Sequence, residues 1–353
     1  MKNFIRIFLI AGVAFCFTYG LTWLKDNKIP NFTGRVQFYV TDTTDVQDVL
    51  DLLLRDVKDT ASLKRVFETK EVAQYLKPGY YVVDKGAVSV YAARMLNNGW
   101  QTPVRMTLSG NLRLRTEIAG KVARNLQLDS ADVLAALSDK AFLAKYGATP
   151  ATAFSLFLPD TYEVYWTASL DDVFSRMKGE TDAFWTADNL DKAAALGLTR
   201  DQVTIVASIV CGETHHVPEM PKIAGVYLNR LKIGMLLQAC PTVAYCYDYK
   251  LDRVLNRHLQ VESRYNTYKY AGLPPGPICS PSREALLAVL NPDFGDGVTR
   301  AGGPGCNLYF CANADFSGTH AFARTLSQHN ANAAAFQAEL DRRAAAKRRN
   351  SGK

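Results

Sequence analysis

An α+β fold behind a single N-terminal transmembrane helix is what the sequence predicts, and three observations predict it. No residue from 7 to 24 is charged, and the run IFLIAGVAFCFTYGLTWL is long enough to cross a bilayer. Short alternating segments, such as VQFYVT at 36–41, read as strands, whereas longer stretches with apolar residues every three or four positions read as helices. The 353 residues are 48% hydrophobic and 21% charged, a globular composition with room for two domains.

The N-terminal run reads as an uncleaved anchor. A signal peptide would have a shorter apolar region and an A-x-A-like site, and none follows Leu24. The bulky Phe15 before Cys16 is unlike a lipoprotein processing site. Lys2 and Arg6 precede the run and Lys25, Asp26 and Lys28 follow it, so charge bias alone does not orient it. The expectation is a single-pass protein of the cytoplasmic membrane. Residues 1–24 form the cytoplasmic stub and anchor, and the remainder lies on the extracytoplasmic, periplasmic side. The net charge is +7, part of it in a solvated basic tail at 343–353 with Arg343, Lys347, Arg348, Arg349 and Lys353. No nucleic-acid motif accompanies this charge. The remaining surplus is mild and suits an anionic polymer.

Residues 25–35, polar and containing Pro30 and Gly34, read as a linker. A small β-α-α-β module follows at 36–103. It has a strand at 36–41, helices at 45–54 and 62–72, a turn and strand over 76–83, and a helix at 88–96. The larger domain spans 104–342. It opens with a strand at 104–108 and amphipathic helices at 116–125 and 129–143. The FLPDTY turn at 157–162, with Tyr165 and Trp166 after it, presents aromatics suited to sugar stacking or to a core. Then come a helix at 223–231, a turn at 238–243, a proline-stiffened loop at 265–277, a strand at 308–312 and a closing helix at 322–340.

One acid stands apart. Thr199 and Gln202 form a capping-box pattern ahead of Val203, Val206 and Val210, and Glu213 is the next position on that stripe. Ile205 and Ile209 cover a second side, so the helix is apolar nearly all round and belongs in the core. Gly212 loosens its last turn and Pro218 ends it. A carboxyl emerging from a core at a helix C-terminus holds its proton, through desolvation and through the negative end of the helix dipole. Such a group serves as a general acid.

Other constellations are weaker. The segment ETHHVPE holds Glu213, His215, His216 and Glu219, but it matches neither zincin pattern, and Pro218 disturbs the spacing a metal would need. No metal and no cofactor is expected. Cys211 lacks a basic neighbour that would make it a nucleophile. Six of the seven cysteines lie between Cys211 and Cys311, an even number that permits disulfides; Cys240–Cys246 and Cys279–Cys311 are candidate pairs, and packed free thiols are the alternative.

Several motifs together resemble one family. They are A-S-I-V-x-x-E-T at 207–214, V-Y-L-N-R-L at 226–231, I-G-M-x-L-Q at 233–238, P-T-V at 241–243 and Y-N-T-Y at 265–268. G-L-P-P-G-P-I at 272–278, L-Y-F at 308–310 and H-x-F with L-x-x-H-N over 320–330 complete the series. In this order and spacing they resemble the endolytic murein transglycosylases, the MltG or YceG-like proteins. The resemblance implies a LysM-like module followed by a YceG-like catalytic domain. It implies an enzyme that cleaves MurNAc–GlcNAc glycan strands of peptidoglycan internally, leaves 1,6-anhydro-MurNAc ends and terminates nascent strand elongation. Peptidoglycan synthases would be its partners, and Glu213 matches the catalytic glutamate. Gln238, Asn266, Tyr268 and Asn229 are candidates for holding sugars, or else for bracing the site. Two departures stand out: the family often reads V-E-K-E-T, where this chain has Cys211 and Gly212, and often has Asp where this chain has Cys240. The alternative reading is a non-catalytic wall-binding scaffold for the synthases.

Overall fold

The computed structural model describes residues 2–110 and 112–351, with side chains described over 4–110 and 112–345. It is a mixed α+β structure that divides into two units. The first holds residues up to Met106 with Asn125–Gln127 and Glu163–Ser169, and the second holds the rest.

The first unit begins with α1 (Lys2–Asn27), whose apolar span has a mean hydropathy of 2.0 and a most apolar window with no part buried against protein. At ~1.5 Å of rise per residue this helix is long enough for a hydrocarbon core, which suits a single-pass anchor. β1 (Val36–Val40) pairs antiparallel with β2 (Gly79–Val83), in a register that sets Phe38 opposite Tyr81. Alternate β1 side chains Val36, Phe38 and Val40 point into a core built with α2 (Val46–Leu54), α3 (Thr60–Thr69), the short α4 (Val72–Tyr75) and α5 (Ser89–Asn98). Asp45 and Asp59 cap α2 and α3 through hydrogen bonds to Gln47 N and Ser62 N.

Residues 25–35 differ from the expected linker. Asp26 accepts from Ser62 Oγ at 2.7 Å and from Arg65 Nη2 at 2.6 Å. The Asn31 side chain bonds both the N–H and the C=O of Asp59, and Phe32 is 1% exposed. The polar residues here tie the segment to the first unit instead of solvating it.

Two further strands, β3 (Val104–Leu108) and β4 (Asp160–Val164), form a two-stranded sheet. The second unit begins with α6 (Arg115–Ala123), α7 (Ser130–Ala136) and α8 (Lys140–Ala144). One helix over 129–143 was expected. It breaks in two because the Asp139 carboxylate takes the N–H groups of Ala141 and Phe142 and starts a new helix. α9 (Leu170–Phe184), α10 (Ala187–Ala195) and α14 (Arg283–Leu290) lie in stretches left without an expected element. α11 (Arg200–Glu213) runs through the core of this unit against α12 (Met220–Lys232), α13 (Cys240–Cys246) and α14. The expected turn at 238–243 is thus the start of α13, with Pro241 in the first turn, where a missing N–H costs nothing. β5 (Tyr309–Ala312) and β6 (His320–Ala323) make an antiparallel pair, so Phe322 is a strand residue, and the last helix, α15 (Leu326–Ser351), begins after it. Of the basic tail, Arg343 pairs with Glu339 at 2.8 Å; the side chains of Lys347, Arg348, Arg349 and Lys353 lie outside the described residues.

Candidate active site

The site is built on the end of α11. Thr199 and Gln202 exchange hydrogen bonds as the sequence signals, with Gln202 N donating to Thr199 Oγ1 at 3.2 Å and Thr199 N to Gln202 Oε1 at 2.9 Å. Every residue from Val203 to Cys211 is buried. A Cβ at Gly212 would lie 2.5 Å from Pro241 Cβ, so the absence of a side chain there lets α13 close against the last turn. Glu213, the final helical residue, leaves the core half-buried beside these elements.

Burial pushes the Glu213 carboxyl above its usual range. The Tyr227 hydrogen bond and the positive fields of His320 and Arg230 pull it partly back. The Tyr227 hydroxyl, 1% exposed on α12, donates to Glu213 Oε1 at 2.6 Å. That bond fixes the carboxyl and leaves Oε2 for another partner. Arg230, one turn further along α12, spends its guanidinium on backbone carbonyls: Nε on Leu308 at 2.7 Å and Nη1 on Leu237 at 2.7 Å. It therefore fastens the strands and the loop before α13 around the acid. Sequence reasoning passed over Tyr227. The available signal was a hydroxyl on the buried Ile223–Tyr227–Arg230 stripe of α12, at spacings of four and three.

The expected binding residues fall into two groups. Tyr268 Oη meets Cys240 Sγ at 3.1 Å, and both feel the charge of Glu213. Gln238 stands exposed just before Cys240 with φ of 50°, its N–H bonded to Thr267 O at 3.1 Å. Asn266 and Asn229 are fully buried. Asn266 Nδ2 holds the carbonyls of Leu259 and Val261, both at 2.9 Å, and its Oδ1 accepts from Tyr268 N at 3.0 Å. Asn229 Nδ2 holds the carbonyls of Phe294 and Asn307, and its Oδ1 accepts from Gly302 N at 2.9 Å. These two amides have all their hydrogen-bonding groups turned to backbone.

Glu219, from the ETHHVPE segment, grips His320 twice: its carboxylate accepts from the backbone N at 2.7 Å and lies 3.0 Å from Nδ1. Among the described residues no three His, Cys, Asp or Glu side chains converge as metal ligands would. Phe157 and Tyr162 of the aromatic turn are core residues at 0% and 2% exposure, whereas Tyr165 is 54% exposed. All seven cysteines are free; Cys246 Sγ turns to Thr242 O at 3.3 Å, and the buried Cys211 thiol accepts from Ser282 N at 3.4 Å.

Residues 38–335 match the YceG-like family. The chain belongs to that family. Among similar proteins is the endolytic murein transglycosylase of Bacillus subtilis (strain 168), 26% identical over 344 residues that cover 91% of this chain and 89% of the relative. Another, of the same name, comes from Streptococcus pneumoniae serotype 2; it is 26% identical over 290 residues, 73% of this chain and half of the longer relative. The crystal structure of a yceG-like protein from Listeria monocytogenes shares the fold, with a TM-score of 0.54 at 24% identity over 84% of this chain and 98% of the other. In this YceG-like chain the two departures from the familiar pattern nearest the acid have physical counterparts. Gly212 admits Pro241, and Cys240 supplies a thiol to Tyr268 where the resemblance implies a carboxylate.

Proposed function

We propose that this protein is a membrane-anchored endolytic lytic transglycosylase that cuts peptidoglycan glycan strands and leaves 1,6-anhydro-N-acetylmuramic ends. Its relatives' names support the substrate class. The observation that carries the mechanism is Glu213 itself: desolvated, held at one oxygen by Tyr227 and, among the described residues, shifted by Tyr227, His320 and Arg230 and not by a second carboxylate. Hydrolysis of a glycosidic bond normally uses two carboxylates. A single one suffices when the sugar supplies its own nucleophile.

In this reading protonated Glu213 gives its proton to the glycosidic oxygen as the C1–O bond breaks. The C6 hydroxyl of the same muramic residue attacks C1, and its proton passes to the Glu213 carboxylate. The acid is regenerated and no water is consumed. A raised pKa keeps the proton available for the first step, and the tethered hydroxyl makes the second effectively intramolecular. Tyr268 and the exposed Gln238 hold sugar hydroxyls and acetamides, while Asn229 and Asn266 are positioning residues that shape the loops. Residues 36–103 act as a LysM-like glycan-binding module and 104–342 as the catalytic domain. Both lie on the extracytoplasmic side, where cleavage beside the synthases would end nascent strands.

Incubating the full-length protein in detergent with purified glycan strands tests this directly. Mass spectrometry should find anhydro-ended fragments from internal cuts, and Glu213→Gln should reduce their formation at least ~10²–10⁴-fold while the protein stays folded. An active Gln variant sinks the assignment of Glu213; an inert parent supports the scaffold reading.

A further inference from the structure

A second groove lies in the catalytic unit, about 610 Å³ in volume and lined by Arg113, Arg115, Tyr245, Asp248 and Lys250 among others. Its charge is unbalanced. Lys250 and Asp248 pair with each other at 3.1 Å, but among the described residues neither guanidinium stands in an ion pair. Arg113 lies over the Tyr249 ring at 5.0 Å, and Arg115 reaches Ser138 Oγ at 3.4 Å and the carbonyl of Pro150. Half-buried Arg113 offers planar, bidentate recognition of a carboxylate, and half-buried Arg115, whose two terminal nitrogens hold Ser138 and Pro150, adds positive charge beside it.

The groove is joined to the Glu213 site by shared elements. α13 begins at Cys240, beside Tyr268, and ends at the groove with Tyr245 and Cys246. Tyr265 packs on Tyr245 with ring centroids 4.6 Å apart, three residues before Tyr268. Ser280 N donates to Leu112 O at 3.0 Å, which ties the chain carrying Arg113 to the segment just after the proline-stiffened loop, and Tyr249 Oη donates to Ile278 O at 2.7 Å. α13 rises ~1.5 Å per residue, so its two ends stand about 10 Å apart. Three residues of extended peptide cover the same distance, at ~3.3–3.6 Å each.

We propose that this groove binds the carboxylates of the peptide carried by the muramic sugar, so that Arg113, Arg115 and Lys250 select peptide-bearing strands while Glu213 cuts the glycan. The inference rests on the activity proposed above and names a part of its substrate. The test compares kcat/KM on peptide-bearing strands with that on strands stripped of peptide by an amidase. The parent should favour the peptide-bearing strands by about tenfold, and the Arg113→Gln/Arg115→Gln double variant should bring the ratio near one. Because Arg115 also braces backbone, Lys250→Glu at an exposed position is a second arm and should lower the ratio in the same direction. Direct titration of the free stem tetrapeptide into Glu213→Gln protein should show binding that weakens with salt and with either groove variant. Equal cleavage of both strand types by the parent, an equal loss on both in the variants, or no tetrapeptide binding would overturn the groove assignment. A parent that cuts neither strand type overturns the proposed activity instead, and the tetrapeptide titration still decides the groove.

Discussion

At the scale of single residues, the chemistry we propose turns on how Glu213 keeps a proton. Desolvation raises its pKa above 4.5, and the Tyr227 hydroxyl works against that shift by stabilising the charged form. Activity that needs the acid form should therefore fall as pH rises through the raised pKa. Tyr227→Phe removes the opposing bond, moves the alkaline limb of the kcat profile further up, and slows turnover ~10–100-fold through lost orientation, since a hydrogen bond to a charged group is worth ~1.5–3 kcal/mol. An unmoved limb would show that Tyr227 only packs. The same shift has a stability consequence. The native state binds this proton more tightly than the unfolded chain, so the contribution is complete below the unfolded value and is lost as pH rises through the folded one. Thermal melts of Glu213→Gln should accordingly match or exceed those of the parent at pH 8, with the gap closing on acidification.

At the scale of elements, α11 carries the acid only because both of its ends are fixed. The Thr199–Gln202 box holds the start, and Thr199→Ala should cost ~1 kcal/mol in chemical denaturation. The far end depends on Gly212. An alanine there meets Pro241 at 2.5 Å, so Gly212→Ala should lose ~1–3 kcal/mol and displace the last turn that aims Glu213. Activity falling more than stability explains would locate the strain at the site. Asn229 fastens α12 to the chain around it: its removal strands Gly302 N–H and two carbonyls, each at ~1–3 kcal/mol when buried and unpaired.

At the scale of the whole molecule, an exposed apolar helix precedes a mixed α+β fold. α1 shows its apolar side chains on all sides up to its last turn, where Asp26 and Lys25 join the first unit through Arg65, Ser62 and Asp59. A chain started at Lys25 should keep those contacts and appear in the soluble fraction, whereas the full chain should resist carbonate extraction. Extraction of the full chain by carbonate would argue against a bilayer-spanning α1.

Much of this was legible in the sequence because it is written in local pattern. Hydropathy marked the long apolar helix α1, period-two alternation gave β1, and the capping box with its apolar stripe placed Glu213 at the end of a buried helix. The motif series pointed to the family because its spacing survives in one chain. Other features depend on groups distant in sequence and close in space. Tyr227 reaches Glu213 across fourteen positions, Asn229 bonds to carbonyls more than sixty residues away, and Glu219 meets His320 a hundred residues on. Polarity at 25–35 looked like solvation and proved to be hydrogen bonding to other segments. Local periodicity fixes which face of an element is buried. Only packing decides which buried groups meet, and that meeting determines how the Glu213 carboxyl is held, how its proton is tuned and which charges line the groove at the far end of α13.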